Sequence, residues 1–105
     1  GRGNGEGCNL NLPLAPGSDW AVWSEALEQA LATTRRYAPD VLVVSLGVDT
    51  YERDPISAFR LRTDDYPRLG ERIAALGLPT LFILEGGYAV PEIGDNVVGV
   101  LRGYV

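Results

Sequence analysis

Two short apolar runs limit what this chain can fold into. Val41-Leu42-Val43-Val44-Ser45-Leu46 and Thr80-Leu81-Phe82-Ile83-Leu84 are almost continuous, are rich in β-branched residues and are far apart in sequence. Runs of this kind belong to strands covered on both faces, as in a parallel sheet. Between them, from about Asp64 to Leu76, Tyr66, Leu69, Ile73 and Leu76 recur on one face of a helix, and Gly77 supplies its stop. Pro67 is compatible with that helix only in its first turn. Strand, loop, helix and strand make a βαβ unit, whose connection is right-handed and whose strands are parallel.

The rest of the chain supplies flanking elements. Trp20, Trp23, Leu27, Ala30 and Leu31 recur at steps of three and four between about Asp19 and Tyr37, which predicts a helix packed by one face. Pro39-Asp40 ends it. Cys8 to Leu14 alternates polar and apolar residues and predicts a short half-buried strand. A last helix starts near Pro91 and turns Ile93, Val97, Val100 or Leu101, and Tyr104 inward. Trp20, Trp23, Tyr37 and Tyr66 read as core aromatics rather than a binding platform. Residues 47 to 62 lack a sustained period and read as a long loop, a feature that is often functional in compact domains.

Size and composition exclude several classes. A length of 105 residues holds at most one domain, and 46% apolar with 22% charged residues is ordinary globular composition. No apolar run approaches the ~20 residues of a membrane span, and Gly1 to Gly7 has no apolar stretch suited to a secretory signal. The expectation is a cytoplasmic protein without membrane contact. A net charge of −5 with dispersed basic residues speaks against nucleic acid and suits a cationic substrate. Cys8 is alone, so neither an internal disulfide nor a cysteine zinc cluster is available. Histidine, the commonest zinc ligand and general base, is absent altogether. Methionine is absent too, including at position 1, which suggests processing or excision from something longer.

Three features are candidates for chemistry. The opening glycines precede a strand, whereas a dinucleotide fingerprint follows a strand and opens a helix, so a nucleotide-binding domain is disfavoured. Asp49, just past the first apolar run, is either a metal ligand or a loop carboxylate that accepts backbone N–H groups. Tyr88 follows Gly86 and Gly87 after the second run. It is either a half-buried turn residue or a phenol that donates to a developing oxyanion, the two glycines letting backbone approach a ligand closely. The βαβ reading brings Asp49 and Tyr88 to the carboxyl edge of parallel strands, where open α/β sheets bind ligands. Asp54-Pro55 is read as shaping the loop, and Glu85 as ending a strand.

Val44-Ser45-Leu46-Gly47-Val48-Asp49-Thr50 and Glu85-Gly86-Gly87-Tyr88 resemble two C-terminal signatures of the histone deacetylase superfamily. Asp54-Pro55-Ile56-Ser57-Ala58-Phe59 and Ala89-Val90-Pro91-Glu92-Ile93-Gly94 look closer to its acetylpolyamine amidohydrolase branch. Gly5-Glu6-Gly7 and Asn9-Leu10-Asn11-Leu12-Pro13-Leu14 are similar to the family's glycine-rich lead into a strand. The resemblance implies that residues 1–105 are a single C-terminal segment of a deacetylase catalytic domain, part of the α/β arginase/deacetylase-type parallel sheet with flanking helices.

It also implies a Zn2+ enzyme that removes acetyl groups from acetylpolyamine or acetyl-lysine, with Asp49 as metal ligand, Tyr88 as catalytic donor, and Gly86 and Gly87 at the substrate. The family's Asp-x-His and paired-histidine motifs lie upstream and have no counterpart here, so the isolated chain is expected to be inactive and open to self-association through exposed strand edges. The alternative is a non-catalytic structural or binding remnant of that fold.

Overall fold

The computed structural model describes residues 1–105. A 3-10 turn at Gly3–Gly5 is followed by α1 (Trp20–Tyr37), β1 (Leu42–Leu46), α2 (Asp65–Ala74), β2 (Thr80–Leu84) and α3 (Val90–Tyr104). β1 and β2 form a two-stranded parallel sheet in which Leu42 pairs with Thr80 and Leu46 with Leu84. The βαβ reading is thus realised, with α2 as the crossover helix.

Local chemistry sets the helix limits. Asp19 caps α1 by accepting from the N–H groups of Ala21 and Val22, at 3.1 and 3.3 Å, which satisfies donors that have no partner within the helix. The helix closes on Ala38, held in the left-handed region at φ 55°, and Pro39 cannot extend it. Pro67 lies in the first turn of α2, as it must. α2 and α3 approach closely because Gly70 and Gly103 face backbone of the opposite helix, the first against Val100 and the second against Pro67, where a Cβ would collide. Tyr66, Leu69, Ile73 and Val100 are buried with Leu46, Val48, Tyr51 and Leu61 in one core.

Three expectations need correction. Residues 8–14 form no strand: β1 and β2 pair only with each other, so the segment has no ladder partner, and Pro13 lacks a donor. The sheet is covered on one face only within these residues. Leu42, Val44 and Phe82 pack on the core, whereas Val43, Leu81 and Ile83 remain 56%, 54% and 44% exposed. Tyr37 is 73% exposed, because it ends α1 beyond the turns that reach the core. Trp20 and Trp23 do pack against that core.

Candidate functional site

The parallel ladder continues beyond the strands and brings the two loops together. Glu85 N–H donates to Leu46 C=O at 2.9 Å, and Val48 N–H donates to Gly86 C=O at 2.8 Å. Asp49 therefore leaves β1 directly beside Gly86. A Cβ built on Gly86 would lie 2.6 Å from Asp49 Oδ2 and 2.8 Å from its Cγ, and one on Gly47 would lie 2.6 Å from Oδ1. The carboxylate of Asp49 is thus seated across two glycines, in space that a side chain at either position would take.

Gly87 has a different reason to be glycine. Its φ is +141°, in a region that L side chains rarely adopt, and a Cβ there would meet Val48 Cγ2 at 2.6 Å. The chain then delivers Tyr88, 49% exposed, immediately before α3. Its hydroxyl is in no hydrogen bond with the rest of the chain and is free to meet a ligand.

Two acidic residues of this region behave in opposite ways. Asp54, 7% exposed, accepts from Ile56 N–H at 2.9 Å and Ser57 N–H at 3.1 Å through Oδ1, and from Tyr88 N–H at 2.8 Å through Oδ2. Burial opposes its charge, but the N–H groups of Ile56, Tyr88, Ser57 and Ala89 outweigh it and hold the carboxyl below the usual range. Asp49, half-buried, accepts no hydrogen bond and joins no ion pair within the chain. Of the two, only Asp54 is the turn carboxylate that sequence reasoning had offered as the alternative for Asp49.

Tyr66 supports the first loop from below. Fully buried, it donates its hydroxyl proton to Val48 C=O at 3.1 Å, which leaves the Thr50 hydroxyl, 3.2 Å away, as the donor in their shared contact. Burial above all pushes its phenol far up. The Thr50 contact pulls the other way, and the nearby charges of Asp49 and Asp54 push it further up. Sequence reasoning placed Tyr66 in the core but missed this polar role, and it missed the contact between Asp54 and Tyr88.

As a metal site, the arrangement offers one candidate ligand. Asp49 offers two carboxylate oxygens unspent on internal donors, which suits zinc. No group of three His, Cys, Asp or Glu side chains gathers anywhere in the chain.

A model of the histone deacetylase domain matches residues 1–104. The chain belongs to the histone deacetylase family. It is 66% identical over 104 residues to acetylpolyamine amidohydrolase 1 of Pseudomonas aeruginosa and 50% identical over 103 residues to acetylpolyamine amidohydrolase of Mycoplana ramosa, matches that cover 99% and 98% of this chain and 30% of each relative. Among solved structures, acetylpolyamine aminohydrolase from Burkholderia pseudomallei superposes with a TM-score of 0.95 at 44% identity, over 99% of this chain and 30% of that one. The histone deacetylase Clr3 gives a TM-score of 0.89 at 26% identity, over 99% of this chain and 18% of its own. The chain spans about 30% of the length of the acetylpolyamine amidohydrolases it matches. The expected α/β deacetylase fold is therefore correct.

Proposed function

We propose that these residues form the C-terminal part of a zinc-dependent deacetylase that hydrolyses acetylated amines, with acetylpolyamine favoured over acetyl-lysine. The observation that carries this is the seat of Asp49: its carboxylate is held over Gly47 and Gly86 and spends neither oxygen on an internal donor. Similarity to acetylpolyamine amidohydrolases over 99% of the chain supports the substrate class, and the net charge of −5 suits a cationic amine.

In this reading Asp49 contributes one anionic oxygen to the metal. Zinc, when bound, polarises the acetyl carbonyl and lowers the pKa of its water toward ~7. Tyr88 donates its hydroxyl to the acetyl oxygen and strengthens that bond as negative charge develops there, an effect worth about 2.7 to 4 kcal/mol for one well-placed donor. Gly86 and Gly87 expose backbone at the substrate. The isolated chain, with one ligand where catalytic zinc sites use three, binds zinc weakly and does not turn over substrate.

The test uses a complete chain: acetylpolyamine amidohydrolase 1 of P. aeruginosa with its matching stretch exchanged for these residues. Asp49→Ala should lose zinc by metal analysis. Tyr88→Phe should keep zinc and lose about 100-fold or more in kcat on an acetylated polyamine. Full activity of Tyr88→Phe, or stoichiometric zinc in Asp49→Ala, would refute the assigned roles. Nanomolar zinc binding by the isolated chain would refute its predicted weakness.

A further inference from the structure

Tyr88 is the residue whose position matters most to the proposed reaction, yet little of its own holds it. Its ring is half exposed and its hydroxyl has no partner in the chain. On its N-terminal side the ladder ends at Gly86, and Gly87 intervenes at φ +141°. On its C-terminal side α3 begins at Val90, and the residue at its cap, Ala89, has no side chain able to accept from the first turn. The direction in which the tyrosine leaves the backbone is therefore set by whatever fixes its own peptide.

That peptide is fixed from the other loop. Asp54 Oδ2 accepts from Tyr88 N–H at 2.8 Å, across a separation of 34 residues, while Oδ1 is anchored by Ile56 and Ser57. The carboxylate is buried just ahead of the N-terminal end of α3, where the helix dipole favours negative charge. A second tie runs in parallel: Arg53 Nη1 meets Glu92 Oε1, in the first turn of α3, at 3.3 Å. The turn that leads away from Asp49 is thus docked onto the start of the helix that follows Tyr88.

We propose that Asp54 is the positioning residue of Tyr88: its carboxylate accepts from Tyr88 N–H across the two loops, just ahead of α3, and fixes the tyrosine peptide so that the hydroxyl meets the substrate carbonyl. The inference rests on the reading of Tyr88 as the donor to that carbonyl. Asp54 touches neither metal nor substrate in this scheme. Its effect reaches the reaction only through Tyr88, and this separates it from a residue that merely stabilises the loop.

The experiment is a double-substitution cycle in the exchanged full-length enzyme, comparing Asp54→Asn with and without Tyr88→Phe. Asp54→Asn keeps the size of the side chain but exchanges one accepting oxygen for an amide. Misplacement of a catalytic group by about 1 Å costs on the order of 100-fold, so kcat on an acetylated polyamine should fall by about 10- to 100-fold, with KM within about twofold and zinc still stoichiometric. In the Tyr88→Phe background the same substitution should change kcat by less than about twofold.

An equal loss in both backgrounds, or a loss confined to KM, overturns the positioning role while leaving Tyr88 as donor. A fully active Tyr88→Phe enzyme overturns the donor reading itself and the inference with it. Should Asp54→Asn fail to accumulate as folded protein, Asp54→Glu takes its place in the same cycle. It retains the charge and displaces the carboxylate by one methylene, and the same outcomes decide.

Discussion

Gly86→Ala tests whether Asp49 is seated as a metal ligand or merely happens to lie near the sheet edge. Gly86 does not have a positive φ, so alanine brings no backbone strain. The added Cβ would lie 2.6 Å from Asp49 Oδ2, whereas ordinary contact begins at 3.4 Å, so the carboxylate must retreat by about 0.8 Å. Rotating a half-buried side chain by that much costs on the order of 0.5–1.5 kcal/mol in stability. A zinc ligand tolerates only about 0.2 Å of displacement from its bonding distance, so affinity should suffer far more than stability. We expect zinc affinity to fall by about 10- to 100-fold, or ~1.4 to 2.7 kcal/mol, measured by competition with a chromophoric chelator in the exchanged full-length enzyme. The melting temperature should stay close to that of the parent. Gly87→Ala is the control with the opposite signature: its φ of +141° and the collision with Val48 Cγ2 at 2.6 Å should lower the melting temperature clearly. If Gly86→Ala retained parental zinc affinity, the seat across the two glycines would have no bearing on metal binding.

Two further outcomes follow from buried hydrogen bonds. Tyr66→Phe removes the 3.1 Å donor from Val48 C=O, which still accepts from Tyr51 N–H at 3.3 Å, and should cost about 0.5–1.5 kcal/mol in denaturant unfolding of the same enzyme; an unchanged midpoint would show that the bond contributes nothing. Asp54 has a depressed pKa in the folded state, so its stabilising contribution is fully present above the unfolded carboxyl value, near 3.8, and is lost as pH falls through the lower folded value. Asp54→Asn should therefore flatten the loss of stability below about pH 4, measured as melting temperature against pH, and a parental slope in that variant would remove Asp54 from the acid response.

The architecture was legible where periodicity and local chemistry agree. The helical faces of α1 and α2 and the parallel pairing of β1 with β2 followed from the spacing of apolar residues and from the long interval between the strands, although α2 ends at Ala74, short of the expected stop at Gly77. Cys8 to Leu14 misled because alternation expresses a preference for a sheet, whereas a strand also requires a partner, and β1 and β2 offer these residues none. The open face at Val43, Leu81 and Ile83 carries the same lesson in reverse: the apolar runs were read as strands covered on both faces, but cover is a property of what packs on them.

In the site, sequence placed Asp49 and Tyr88 on one edge but could not say which carboxylate was held by the backbone and which was free. Asp49 and Asp54 are the same residue type in the same loop. They differ because a parallel ladder brings Gly86 under one and Tyr88 N–H against the other, and both neighbours come from the far side of the crossover helix. No window of sequence around either aspartate contains that distinction. The difference between a free carboxylate and one held by backbone N–H groups is created by the pairing of β1 with β2. A shift of that register by one residue would move Gly86 out from under Asp49 and so remove the seat that favours it for metal binding.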